Sequence, residues 1–75
     1  MTLQDAYIVR EIQKYTIVDN NHIATMQNFL QSYINENIVI CRSCPAQIRY
    51  HHQTILDWAN ANEELIQKTI EDGTK

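Results

Sequence analysis

The chain has 75 residues, 44% of them hydrophobic, and a formal net charge of −3 with histidine neutral. A chain of this length forms one domain with a small core, and such domains often depend on a metal, a disulfide or a partner for stability. Its one glycine and one proline argue against turn-rich β-sandwiches and β-barrels, and its six dispersed basic residues argue against a phosphate-binding track.

Secretion and membrane insertion also conflict with the sequence. Residues 1–15 lack the apolar core of a signal peptide, and no apolar run approaches the roughly 20 residues of a membrane span. We therefore expect an intracellular protein with no membrane partner. In that compartment Cys41 and Cys44 are expected to be reduced or metal-bound rather than structurally oxidised.

The first predicted helix covers residues 2–15. Thr2 is a suitable N-cap, and Asp5 three residues later gives a pattern close to a capping box. The apolar stripe follows the spacing i, i+4, i+7 and consists of Ile8, Ile12 and Tyr15. Val9 falls outside this stripe.

The second predicted helix covers residues 21–35 and has the clearest amphipathic pattern. Its apolar residues share an arc of about 140° and are Ile23, Met26, Phe29, Leu30, Tyr33 and Ile34. Asp19 or Asn20 is the expected N-cap. His22 lies at the start of this helix, on the edge of the apolar arc.

The third predicted helix covers residues 45–72. Pro45 is a favoured first helical residue, Cys44 lies at or near the N-cap, and Gly73 is a natural stop. A helix of this length measures about 40 Å. It therefore either protrudes from the domain or breaks near Ala59–Asn62.

An apolar face follows this third helix along its length. We expect Trp58 on that face to pack against Phe29 and Tyr33, and Asn62 either to set the register of an oligomer or to mark a helix end. If the helix protrudes, its apolar end needs a cover, which a second copy or a larger protein assembly would supply. The expected partner-binding residues are Tyr50, Trp58, Leu65, Ile66 and Ile70. The predicted fold is a small all-α, three-helix single domain, with a CxxC turn at the start of its long C-terminal helix.

The spacing Cys41-x-x-Cys44 is that of a zinc knuckle, in which two thiolates approach one ion from a tight turn. Two further ligands are needed, and the candidates are His51, with His52 as its substitute, and His22. Seven residues of continuous helix separate His51 from Cys44 by roughly 10 Å, which is near the limit of reach. His22 approaches from another direction with less strain. Zinc is therefore one expected cofactor.

Two other interpretations of the same segment stay open. His51 lies on the apolar face, where a histidine is often a buried residue bonded to a carbonyl, and free cysteines often pack as small hydrophobic residues. Alternatively, a CxxC turn before a helix is typical of a thiol-disulfide redox pair. The thioredoxin arrangement, however, also needs a second, cis proline and a sheet, and this chain has only Pro45.

Nucleic-acid binding is a further alternative. The second and third helices would form a helix-turn-helix variant, with Arg42 and Arg49 at the phosphate backbone. The predicted connection of about nine residues exceeds the usual turn of three to four residues. This alternative is therefore less favoured by the sequence.

The stretch VICRSCPAQIRYHHQTILDW (Val39–Trp58) resembles a C-x-x-C-P-x-Q-[IV]-[RK] segment of small proteins from bacteriophages of gut Bacteroidota, including crAss-like phages. The resemblance covers about 20 of the 75 residues. It implies no reaction, but it implies a phage accessory or virion protein, in the host cytoplasm or the particle. Together with the lack of catalytic motifs, it favours a non-enzymatic interaction or structural module that docks on a larger protein assembly, with zinc as a possible staple.

Overall fold

The protein folds into four helices and no strand within the residues that the computed structural model describes, 1–16 and 18–73. The helices are α1 (Leu3–Gln13), α2 (Asn20–Tyr33), α3 (Pro45–Ala61) and α4 (Glu63–Gly73). The all-α class is confirmed, whereas the number of helices was predicted as three. No helix in these ranges combines the length and the apolar character needed to cross a membrane.

Side-chain caps fix where α1 and α2 begin. Thr2 Oγ1 accepts a hydrogen bond from the Asp5 backbone N–H at 3.1 Å, as the sequence predicted. At α2 the Asp19 carboxylate accepts from the His22 backbone N–H at 2.9 Å, and His22 Nδ1 accepts from the Asp19 N–H at 3.4 Å. These bonds satisfy N–H groups that have no partner within the helix. Asp19 rather than Asn20 is therefore the N-cap of α2.

The predicted third helix ends early because Asn62 interrupts it. The Asn62 side chain donates to the Trp58 carbonyl at 2.8 Å, and its backbone N–H also contacts the Trp58 and Ala59 carbonyls. The next helix begins at once, since the Ile66 N–H donates to the Asn62 carbonyl at 3.0 Å. A single helix over residues 45–72 was therefore wrong, and the alternative break near Ala59–Asn62 is confirmed.

α4, which was predicted as the second half of the third helix, packs antiparallel to α1. At one end, Gly73 approaches Leu3 so closely that a Cβ on Gly73 would lie 2.6 Å from Leu3 Cδ1. At the other end, the Arg10 guanidinium donates two hydrogen bonds to the Glu63 carboxylate, at 2.7 and 2.8 Å, and a third to Gln67. The apolar end that the sequence left uncovered is thus covered by α1 within the same chain.

One hydrophobic core lies between the four helices, and α1 contacts each of the other three. The buried side chains are Ala6, Val9, Ile12, Ile23, Met26, Phe29, Leu30, Ile40, Ile55, Ala59 and Ile66. Val9 was predicted to lie outside the apolar stripe of α1, yet it is fully buried. Because three helices cover α1, it buries a wider face than a single stripe provides.

Trp58 anchors the side of the core formed by α2 and α3. Its ring meets the Phe29 ring edge-on with centroids 5.2 Å apart, and the Tyr33 ring lies 5.6 Å away. Edge-to-face aromatic pairs at this separation are favourable beyond the area that they bury. The predicted packing of Trp58 against Phe29 and Tyr33 is confirmed, and this partly buried residue packs against the core.

Candidate functional site

The two cysteines lie in a turn that joins α2 to α3. Ile40, just before the turn, is 3% exposed, and its N–H donates to Gln27 Oε1 of α2 at 3.0 Å. Gln31 Nε2 of the same helix donates to the Ile38 carbonyl at 2.8 Å. On the other side, Pro45 begins α3. Hydrogen bonds to α2 and the burial of Ile40 therefore hold the start of the turn, and α3 begins directly at its end.

Within the turn, the two sulfur atoms face each other. Cys41 Sγ and Cys44 Sγ are 2.7 Å apart, and both residues are free thiols of intermediate exposure. The backbone closes the turn through a hydrogen bond from the Cys44 N–H to the Cys41 carbonyl at 3.3 Å. Ser43 Oγ lies 3.4 Å from Cys41 Sγ. The pair is thus assembled by local structure before any ligand or reagent arrives.

The neighbouring groups shift the pKa values of the two thiols in opposite directions. The pKa of Cys41 is lowered, first because the Cys44 thiol donates a hydrogen bond to its sulfur and then because Ser43 does so. The pKa of Cys44 is raised, because its proton is held by Cys41 and because burial disfavours its charged form. Cys44 is the N-cap of α3, a position that favours a thiolate, but it makes no side-chain cap bond. The two pKa directions therefore favour the thiolate at Cys41 over that at Cys44, and Ser43 Oγ lies beside the Cys41 sulfur.

Two of the histidines predicted as zinc ligands take part in packing the helices. His22 caps α2, and its ring stacks on Tyr15 with centroids 3.9 Å apart. His52 Nε2 lies 2.9 Å from the Ile12 carbonyl oxygen. Since a carbonyl only accepts, this nitrogen carries the proton and cannot also bind a metal. His52 thus ties α3 to the last turn of α1.

The third histidine, His51, packs edge-on against Tyr50 with ring centroids 5.4 Å apart. Its Nδ1 is buried and has no hydrogen-bond partner within the described ranges. Over residues 1–16 and 18–73, no three His, Cys, Asp or Glu side chains come together in a way that could hold a metal ion. A structural zinc site needs four ligands, of which Cys41 and Cys44 supply two. The residues that this fold brings together therefore do not fit a complete zinc site within one copy.

The helix-turn-helix alternative does not match the geometry of the connection. Arg42 and Arg49 are both exposed. The segment between α2 and α3, however, runs from residue 34 to residue 44, much longer than the turn of three to four residues in that motif. Arg42 lies in the cysteine turn and Arg49 near the start of α3. The long connection between α2 and α3 does not place them in a helix-turn-helix motif.

The expected partner-binding residues divide into exposed and packed ones. Tyr50 is 68% exposed and Leu65 is 45% exposed. Ile66 is fully buried, and Trp58 and Ile70 pack against the core. Assigning Ile66 to a docking surface was wrong, because α1 covers the face of α4 that was expected to be free.

Two residues near the cysteines were missed at the level of sequence. Ser43 supports the Cys41 sulfur, and its position inside the CxxC turn was the available signal. Gln27 holds the chain before the turn, but it lies among the polar residues of α2 and no local pattern distinguishes it.

Comparison of the chain with protein-family models, with curated proteins and with solved structures found no match.

Proposed function

We propose that the protein is a non-enzymatic interaction module that docks on a larger protein assembly through the cysteine turn and the first half of α3. The observation that carries this proposal is the exposure of two large apolar side chains, one just before the cysteine turn and one on the first half of α3. Val39 is 71% exposed and Tyr50 is 68% exposed. Tyrosine is enriched at protein interfaces because its ring is apolar while its hydroxyl stays hydrogen-bonded.

The charge of the same segment indicates the chemistry of the partner. Residues 37–56 contain Arg42 and Arg49 and no Asp or Glu, which gives +2. The rest of the chain carries the other four basic residues and all nine acidic residues, which gives −5 and restores the total of −3. A basic segment on an acidic protein favours a partner surface with acidic residues, because complementary charge steers association.

A groove beside Arg49 offers a place for an apolar side chain of that partner. It has a volume of about 300 Å³ and is lined by Thr16, Val18, Pro45, Ile48, Arg49 and His52. Three of its six lining residues are apolar, and Arg49 carries a charge, a combination that suits an apolar anchor next to a carboxylate. The resemblance of Val39–Trp58 to phage proteins makes the proteins of a phage particle the first partners to test.

The experiment is affinity capture with tagged full-length protein from the cells that produce it, quantified by mass spectrometry. Arg49→Glu reverses the charge beside the groove, and Tyr50→Ala removes the exposed ring. We expect both variants to lose at least one captured protein by about tenfold or more, the size of an interface hot spot. Capture should also weaken as salt is raised, because exposed charges are screened.

The matched control is Tyr7→Ala, which removes a 46% exposed tyrosine from α1, outside the proposed surface. This variant should capture the same proteins as the wild type. Equal capture by the wild type, Arg49→Glu and Tyr50→Ala would contradict the proposed surface. Circular dichroism of each variant confirms that the helices are intact.

A further inference from the structure

We propose that Cys41 and Cys44 form a reversible dithiol–disulfide pair that exchanges electrons with small aliphatic disulfides. The inference rests on the geometry of the turn and is independent of the proposed docking function. It concerns a modification of this chain and does not require a thioredoxin fold.

The two sulfur atoms are arranged to react with each other. They lie 2.7 Å apart in a four-residue turn whose backbone is closed by a hydrogen bond. Gln27 and the buried Ile40 hold one side of this turn, and α3 holds the other. Two reacting groups held in contact behave as if each were at very high concentration. Once one sulfur is activated, attack by the other is therefore faster than attack by a second molecule.

Cys41 is both accessible to a small disulfide and activated by its neighbours. Cys41 is partly exposed, and hydrogen bonds from Cys44 and Ser43 favour its thiolate, which is the reactive form. Arg42, within the turn, is exposed and positively charged. A small disulfide that carries carboxylates, such as oxidised glutathione, is attracted to this charge. Cys41 is therefore the attacking sulfur and Cys44 the resolving sulfur.

The exchange balances in two steps. The Cys41 thiolate attacks one sulfur of the small disulfide; a bond forms to Cys41 Sγ, the disulfide bond breaks, and one small thiolate leaves. Cys44 then loses its proton and attacks Cys41 Sγ, which expels the second small thiolate. The two thiolates take up the two protons that the cysteines release. The cysteine pair loses two electrons, and the small disulfide is reduced to two thiols.

The test uses the full chain equilibrated in buffers of reduced and oxidised glutathione. Free thiols are then alkylated, and intact mass spectrometry counts them. We expect an oxidised species that lacks two hydrogen atoms and carries no glutathione. In Cys44→Ser the reaction should stop at one glutathione on Cys41. Cys41→Ser should react more slowly than Cys44→Ser, because Ser43 Oγ lies 3.4 Å from Cys41 Sγ and supports its thiolate even without the partner thiol.

Two comparisons separate a built site from an ordinary pair of nearby cysteines. The folded chain should favour the internal disulfide over its urea-unfolded form by about tenfold or more, because the fold already holds the sulfurs together. Ser43→Ala should slow the first step at neutral pH and leave the helices intact.

Three results would overturn the inference. They are glutathione retained on both cysteines of the wild type, no preference for the internal disulfide over the urea-unfolded chain, and equal rates for the two single serine variants. None of these results bears on the docking proposal, whose variants leave both cysteines in place.

Discussion

Replacing Ile66 with alanine tests whether α4 is packed on α1 or stands free. Ile66 is fully buried, whereas its neighbour Leu65 is 45% exposed. The sequence alone placed both residues on one partner-binding face. Their substitutions by alanine therefore distinguish the observed packing from a protruding helix, and Leu65→Ala is a control on the same helix.

The expected magnitudes follow from burial. Ile66→Ala removes three buried carbon atoms at about 0.8 kcal/mol each and leaves a partly collapsed cavity, so unfolding becomes easier by about 3 kcal/mol. Leu65→Ala removes side-chain carbons that are roughly half in water already and should cost about 1 kcal/mol or less. A chain of this size has a total stability of about 4–11 kcal/mol. Ile66→Ala therefore removes a large fraction of it.

The assay is urea unfolding followed by circular dichroism. With a slope of about 1 kcal/mol per molar urea for a small protein, the midpoint should fall by about 3 M for Ile66→Ala and by about 1 M or less for Leu65→Ala. The slope itself should change little. Equal shifts for the two variants would refute the packing of α4 on α1, since a free helix exposes both side chains to similar degrees.

Two further predictions concern polar contacts between helices and the dependence of stability on pH. Arg10 holds the pKa of Glu63 below its usual 4.5, so this pair stabilises the fold above about pH 4.5 and the contribution is lost as the pH falls through the lowered pKa. In thermal melts at low salt, Glu63→Gln should flatten the loss of stability on acidification; an unchanged profile would contradict the pairing. Burial, and then a hydrogen bond to Asp5, raise the pKa of Tyr33, so its contribution is complete below its ordinary pKa of about 10 and is lost as the pH rises through the raised value. Tyr33→Phe should therefore destabilise the protein by about 1 kcal/mol near neutral pH and less at alkaline pH, and an equal difference at both pH values would exclude the Asp5 contact as the cause.

Features set by neighbouring residues could be predicted from the sequence. The Thr2 and Asp19 caps depend on a few adjacent side chains, and both are observed. The apolar arc of α2 is observed except for Ile34, which is the C-cap and is 39% exposed. The break at Asn62 was left as an alternative for a physical reason. Apolar residues on both sides of Asn62 keep the helical spacing in phase, so periodicity alone does not show an interruption. The structure shows it through the side-chain bond from Asn62 to the Trp58 carbonyl and the backbone contacts of Asn62 with Trp58 and Ala59.

At the candidate site, the roles of the histidines could likewise be predicted only where the partner is a neighbour along the chain. The chemistry of His22 and His52 suits metal binding, but the nearest polar groups decide what each does. His22 follows Asp19 by three residues at a helix start, a capping-box spacing that was visible in the sequence. The partner of His52 is the Ile12 carbonyl, forty residues away along the chain. No local pattern predicts a contact of that separation.

The pairing of α1 with α4 joins the first helix along the chain to the last. During synthesis, the side of α1 that packs on α4 stays exposed to water until residues 63–73 have emerged. Non-local contacts of this kind slow folding and leave apolar surface open in the meantime. For this small protein, the core is therefore closed only when α4 has packed on α1.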